Sequence, residues 1–488
     1  MSEISNTQPP WEIGIILLVM GSYIFDVVQA HPQYPIYIAL VITAIGATYL
    51  FYKLQNPVKD HFQQKDPEID SIAFGKSKPL FPKKGLNLKS YAVKKRIYES
   101  HQLTLGTTGA GKTYSVLRPQ IRSEIKFGNT IFIIDPKGDS TLRDAVYSYA
   151  KEFERSDDFI YFSLTNPENS NRFNPFSGSG ISEIKDLIIS STVWSEPYYK
   201  KMSEASLLKC LKEIKGEIDL DSIIRSLPDK KELTGLKCDL EIMKMSSFGP
   251  LISRSDSPTL KDFYNEKKVV YFSLDVQAFP EAAIQIGKII LSGLMGLSNH
   301  ASTSLDQKDR KRVNIVVDEF GSFITDPFIN FLNKARSSNI RFLLATQSIS
   351  DLKSLDPVHL GRIIDNTPVK IIMLLSDPES IEYTAKIFGT KEAVKDTSQT
   401  QKGLFFSKRD TGMGSSRDVE EFIVHPGRIR ALNQGEGFLI TQAPYTISKV
   451  KFSGTKDNST PYKPIKRSKP EIKDTKIAAI NGSDLLEL

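Results

Sequence analysis

The stretch Gln102 to Ile121, QLTLGTTGAGKTYSVLRPQI, decides the fold. QLTL reads as a short apolar strand and YSVLRPQI opens a helix, with Pro119 a potential kink. Between them Gly106, Thr107, Thr108, Gly109, Ala110, Gly111, Lys112 and Thr113 fit the spacing G-x-x-x-x-G-K-[ST]. Glycines let backbone amides curl round phosphate oxygens, and the helix N-terminus adds a partial positive charge. Lys112 would reach the outer phosphates and the Thr113 hydroxyl would hold Mg²⁺.

Working outward, two further segments complete such a site. Val313–Phe320, VNIVVDEF, is an apolar strand ending in adjacent carboxylates. A carboxylate at a strand's C-terminal edge faces the ligand crevice of an open α/β sheet. Asp318 suits the Mg²⁺ shell, and Glu319 suits polarising an attacking water. The next strand, RFLLATQS from Arg341, carries Gln347 at its tip, a neutral amide suited to sensing a phosphate or orienting water. Between these strands, DPFINFLNKARSSNI reads as a helix with Arg336 near its end. Arg336 is either a finger for a neighbouring subunit's nucleotide or a cation offsetting its own helix dipole. IIDPKGDS from Ile133 places Asp135, Lys137 and Asp139 in a turn beside the phosphate loop, for nucleotide coupling or for capping the next helix.

Apolar runs at Gln102–Leu105, Thr130–Ile134, Phe159–Leu164, Val269–Leu274, Val313–Val317, Ile340–Ala345, Val369–Leu375 and Gly437–Thr441 alternate with helical patterns. Several are apolar on both faces, as in a parallel sheet covered by helices. The fold class is therefore α/β. Residues 181–255 carry only helical periodicity and read as an all-α insertion. The parts are then a nucleotide-binding domain over 98–180 and 256–450, interrupted by that insertion, with a Lys-rich flexible tail over 451–488.

At the other end, Ile13–Val28 and Ile36–Tyr52 are apolar, with Asp26 as their one charge, and predict a two-helix transmembrane hairpin within residues 1–54. Lysines follow the second run and none lies in the link, which places both termini in the cytoplasm. Residues 55–97 read as a basic membrane-proximal linker; 11 basic and 4 acidic residues fall between Lys53 and Arg96. Although the 488-residue chain carries +7, residues 97–448 are near neutral, which excludes a protein that coats nucleic acid with its whole surface. With 40% hydrophobic and 25% charged residues it is no disordered chain. Two cysteines, read as buried thiols, exclude a disulfide framework. In the insertion, Lys200 and Lys201 with Trp194, Tyr198 and Tyr199 offer charge and stacking faces for single strands, or an amphipathic face with its aromatics buried. Phe452 and Tyr462 lie in the Lys-rich tail, either solvated or touching DNA.

GTTGAGKT, IIDPKGD, NRFNPF (Asn171–Phe176), VVDEFGSF and ATQSISDL, in this order behind an apolar hairpin, resemble the type IV secretion coupling proteins of the TraD/TraG group. The resemblance implies a RecA-like P-loop domain with an all-α insertion, ATP and Mg²⁺ as cofactors, and a homohexamer round a channel in the bacterial inner membrane. It implies ATP-driven transfer of DNA, single-stranded and relaxase-linked, with the relaxase and other secretion components as partners. By motif it assigns nucleotide roles to Lys112, Thr113, Asp318, Glu319 and Gln347, and a finger role to Arg336. A non-hydrolysing substrate receptor and a translocase of the FtsK/HerA kind stay open as alternatives.

Overall fold

The computed structural model describes residues 71–78, 89–94, 99–353, 357–402, 408–442, 445–455 and 460–463. The expected membrane hairpin lies outside these residues. No helix among the described residues is long and apolar enough to cross a membrane.

One eleven-stranded sheet organises the domain, in the order β2-β1-β13-β12-β9-β3-β8-β7-β4-β6-β5. The strands are β1 Ser71–Lys78, β2 Lys89–Lys94, β3 Gln102–Leu105, β4 Thr130–Asp135, β5 Phe159–Ser163, β6 Val269–Ser273, β7 Val313–Val317, β8 Ile340–Thr346, β9 Val369–Met373, β12 Glu436–Gln442 and β13 Tyr445–Phe452. From β9 to β5 every pairing is parallel. From β9 outward through β12, β13, β1 and β2 every pairing is antiparallel. All eight expected strands are present, within two residues of their expected ends.

Period-two side-chain alternation explains why both faces are covered. In β4, Ile131 and Ile133 pack with Leu117, Ile121, Ile125, Ala145, Val146 and Tyr149 of the helices on one face. Phe132 and Ile134 pack into the larger core of the other face. The first face carries α1 (Arg118–Lys126) and α2 (Ser140–Glu152). Ahead of α1, Lys112–Leu117 form a π-helical turn, and Pro119 sits at the start of the α-helix. The expected single helix is thus two pieces: proline lacks the N–H that a helix interior needs, so it is tolerated only in a first turn.

Between Ile181 and Ile252 the described elements are helical: α3 Ile181–Ser191, α4 Pro197–Glu213, α5 Leu220–Ser226, α6 Thr234–Met245, α7 Gly249–Ile252 and a single 3-10 turn. The chain returns to the sheet through α8 (Leu260–Asn265) and β6. The long α9 (Pro280–Ser304) precedes β7, α10 (Asp326–Lys334) precedes β8, and α11 (Pro378–Phe388) follows β9. Strands β10 (Thr390–Lys402) and β11 (Lys408–Phe422) pair only with each other.

Two expectations at the flanks change. Part of the 55–97 linker, β1 and β2, is strand and extends the sheet. The tail expected from residue 451 begins inside β13, where Phe452 is buried. Beyond it, Thr455 O accepts from the Tyr114 hydroxyl at 2.9 Å and Thr460 N donates to Ser148 Oγ at 2.7 Å. Tyr462 stands edge-on to Tyr147, Phe159 and Tyr161 at 5.0–5.4 Å. These described tail residues form a strap across the π-helical turn, α2 and β5, because aromatic and apolar groups gain more by packing there than in water. Cys238 is exposed, not buried, while Cys210 is buried.

Candidate nucleotide site

The phosphate loop links β3 to the π-helical turn. It is fixed to both neighbouring strands: Gly106 N donates to Thr346 O at 3.3 Å and Thr107 N to Leu374 O at 2.8 Å. Gly111 has φ +100°, and a Cβ there would lie 3.1 Å from Ser115 Oγ and 3.4 Å from Gly435 N. Glycine is therefore required for both conformation and room. Gly435 N donates to Ala110 O at 2.9 Å, tying the loop to the start of β12. The helix that starts at Lys112 leaves its first N–H groups without intrahelical acceptors, aimed into the crevice.

Lys112, only 5% exposed, donates to Gly106 O at 2.6 Å and lies 3.8 Å from Glu319 Oε1. Burial lowers its pKa, opposed by the Glu319 and Asp318 carboxylates. Thr113 Oγ1 donates to Asp318 Oδ2 at 2.8 Å. Asp318 directly follows β7 and is buried. Glu319 follows with φ +50° and ψ +46°, a left-handed conformation that costs a non-glycine residue about 1–3 kcal/mol. That bend turns its carboxylate toward Lys112. At the tip of β8, Gln347 Oε1 accepts from Thr108 Oγ1 at 2.9 Å. So Lys112, Thr113, Asp318, Glu319 and Gln347, read from three separate segments, share one crevice.

The IIDPKGDS turn is divided by the structure. β4 is not beside the phosphate strand, because β8 and β7 lie between them. Asp139 caps α2, as its side chain accepts from Thr141 N. Lys137 instead crosses to the site, 3.1 Å from Asp318 Oδ2 and 3.4 Å from Glu319 Oε1. Burial opposes its charge, but Asp318 and Glu319 more than compensate and raise its pKa. Asp135 lies below, 2.5 Å from the donating Tyr271 hydroxyl and 3.0 Å from the Lys137 amide. Burial pushes its pKa up to about 6 against those hydrogen bonds.

Arg336 stands apart. It lies in the turn Ala335–Ser338 that leads into β8, at the sheet edge opposite the phosphate loop, and it is exposed. It cannot serve its own subunit's crevice. In the insertion, the aromatic set also splits. Trp194 packs against the core and donates to Ile189 O at 2.8 Å, whereas Tyr198 is 57% exposed beside exposed Tyr199, Lys200 and Lys201.

Sequence reasoning missed Asp351. It accepts from Thr346 Oγ1 at 3.1 Å and Ser348 N at 3.0 Å, and its charge acts on Lys112. The signal was present as S-x-x-D over Ser348–Asp351, a helix-capping spacing.

Residues 48–188 match the family model for type IV secretory system conjugative DNA transfer, and residues 312–434 match that for the TraM recognition site of TraD and TraG. The chain belongs to the TraD/TraG family of type IV coupling proteins. The type 4 coupling protein DotL of Legionella pneumophila is 22% identical over 398 residues, covering 62% of this chain and 51% of its own length. This chain thus spans about half the length of that curated relative. Among solved structures, the conjugative coupling protein TrwBdeltaN70 has a TM-score of 0.55 at 14% identity, over 81% of this chain and 90% of that one. TrwB in complex with ADP and Mg²⁺ gives 0.56 at 16%, over 76% and 88%. VirB4 of Thermoanaerobacter pseudethanolicus gives 0.51 at 14%, over 80% and 98%. At these identities the likeness is one of fold: an α/β nucleotide-binding architecture with a large mixed sheet.

Proposed function

We propose that this family member is a ring-forming ATPase of the bacterial inner membrane that couples ATP hydrolysis to moving DNA or relaxase-linked DNA through a type IV secretion system. The observation that carries the reading is the convergence of Lys112, Thr113, Lys137, Asp318 and Glu319 within 4 Å contacts at one sheet edge. TrwB, of the same fold, is known with ADP and Mg²⁺, which supports a nucleotide in this crevice. The Thr113 hydroxyl and Asp318 carboxylate form an oxygen-only pair that fits a hard cation. They would hold Mg²⁺, which when bound supplies positive charge to the phosphate oxygens. Lys112 binds the outer phosphates. Glu319 accepts hydrogen bonds from the attacking water and orients it, with Lys137 positioning the Glu319 carboxylate. Gln347, tethered by Thr108, lies where it can sense the terminal phosphate. Arg336, exposed at the opposite edge, supplies the cation to a neighbouring subunit's nucleotide. The apolar runs before residue 53 anchor the ring in the membrane with both termini cytoplasmic, and the relaxase and other secretion components are its partners.

DNA-stimulated ATPase of the full chain tests the reading. Lys112→Ala and Glu319→Gln are each expected to lower turnover by about 10²-fold or more, and unchanged turnover in either removes the assigned role. Mixing Arg336→Ala with Glu319→Gln subunits is expected to restore part of the hydrolysis; no rescue at any ratio returns Arg336 to its own helix dipole.

A further inference from the structure

The two carboxylate oxygens of Asp318 are not equivalent. Oδ1 accepts from the Glu319 amide at 3.1 Å. Oδ2 accepts twice, from Thr113 Oγ1 at 2.8 Å and from Lys137 Nζ at 3.1 Å. The oxygen that the Thr113–Asp318 pair would turn to Mg²⁺ is therefore shared with a lysine ammonium. Lys112 takes no part in this sharing. Its Nζ donates to Gly106 O at 2.6 Å and stands 3.8 Å from Glu319 Oε1.

Burial sharpens the contest for that oxygen. The Asp318 side chain is only 3% exposed, so its charge needs a cation in contact, and Lys137 supplies one. The backbone at Lys137 is clamped. Its amide donates to Asp135 Oδ1 at 3.0 Å, while Leu274 N donates to Asp135 O at 2.9 Å and Val276 N to Pro136 O at 2.8 Å. Beyond this clamp the side chain is half-exposed, and a second acceptor, Glu319 Oε1, lies 3.4 Å from its Nζ. Lys137 can thus release Asp318 without leaving the crevice.

We propose that Lys137 is an exchangeable counter-ion that competes with Mg²⁺ for Asp318 Oδ2. In metal-free solution its ammonium offsets two carboxylates that would otherwise repel a phosphate. A cation held by Thr113 and Asp318 needs the same oxygen, and cations about 4 Å apart repel each other. Lys137 then passes wholly to Glu319, the carboxylate that orients water. Lys137 is a positioning residue acting through two carboxylates, and it needs no contact with the phosphate. The inference rests on the nucleotide-site reading and adds a link between metal loading and the setting of Glu319.

The test is the affinity of the detergent-solubilised full chain for N-methylanthraniloyl-ADP, read by fluorescence in saturating Mg²⁺ and in EDTA. The ratio of the two dissociation constants, EDTA over Mg²⁺, measures the coupling between metal and nucleotide. In Lys137→Met, Asp318 and Glu319 lose their offset, so affinity in EDTA falls far more than affinity in Mg²⁺. The ratio is expected to rise about tenfold or more, and Lys137→Arg, which keeps the charge, is expected to bring it back to the parent value. Binding weakened by the same factor in both media leaves the ratio unchanged; that is the mark of a merely structural lysine, and it overturns the proposal. A ratio raised equally in Lys137→Arg overturns it too, because charge would not then be the cause. Partial misfolding does not move the ratio, since it scales both constants alike. A parent chain that binds the probe in neither medium overturns the proposal together with the nucleotide-site reading.

Discussion

Two clusters of charge lie at opposite edges of the same strands. At the upper edge Lys112 and Lys137 face Asp318 and Glu319, with Lys137 45% exposed. At the lower edge Arg341, fully buried in β8, faces Glu124 of α1 at 3.4 Å. There Arg341 also donates to Ser100 O and Gln120 Oε1, both at 3.0 Å, while Glu124 accepts from Asn129 at 2.6 Å and Asn314 at 2.7 Å. The lower cluster is buried and closed, so it fixes α1 against the sheet. The upper one is open: Lys112 donates to the Gly106 carbonyl, Lys137 lies against Asp318 and Glu319 while 45% exposed, and a phosphate can compete for both cations. Ion pairing alone does not mark a functional site; accessibility does.

The sharpest break of this contrast is Arg341→Ala. It leaves the buried Glu124 carboxylate with only Arg312, at 3.8 Å, as a cation and is expected to cost about 3–5 kcal/mol by urea denaturation of the full chain. Nucleotide affinity of the folded fraction stays unchanged. Lys112→Ala is expected to do the reverse, with turnover down about 10²–10³-fold, worth about 2.7–4 kcal/mol in the transition state, and stability within about 1 kcal/mol. If both variants lose stability equally, the division between the edges fails.

A pH series sharpens the same contrast. Burial, with help from the Arg341 charge, lowers the His101 pKa to about 3 at the lower edge, so His101 is folded neutral. The unfolded chain takes up its proton first; His101 therefore contributes stability above pH 6.5 that is lost as pH falls toward 3. Asp135 has the opposite sign. Its folded pKa near 6 lies above the ordinary carboxyl value of 3.8, so its contribution is full below about 3.8 and declines as pH rises to 6. The two slopes oppose each other between about pH 4 and 6. His101→Gln removes one, and stability is then expected to fall with rising pH there, by up to about 1.4 kcal/mol per unit. An unchanged profile would mean that His101 does not titrate as argued.

The smallest effect belongs to the strap. A Cβ on Gly454 would stand 2.0 Å from the Tyr114 ring, next to Thr113 of the phosphate loop. Gly454→Ala is expected to lift the strap, raising protease cleavage near residue 455 at a global cost of about 1 kcal/mol. Cleavage at the parent rate would remove the close approach.

The parallel core was legible because each strand is a short run apolar on both faces. The crevice was legible because phosphate chemistry demands glycines, a lysine and paired carboxylates at set positions. Three things were not. Lys137 and Asp139 sit two residues apart in one turn, and nothing local says that one crosses to β7 while the other caps a helix. Strands β1, β2 and β13, at the antiparallel end of the sheet, carry lysines and serines among their apolar residues, so they lack the continuous apolar signal of the parallel core. Arg341 reads as the start of an apolar strand, yet it anchors the lower edge.

By itself, the sequence determined the α/β class, the helical insertion and the residues of the phosphate crevice, since each rests on local periodicity or on a motif's chemistry. Only the tertiary structure decided that β8 and β7 separate β3 from β4, that Lys137 reaches Asp318 and Glu319, and that the tail straps α2. Those contacts join residues as much as 341 positions apart, and their geometry follows from strand order, which no local pattern encodes.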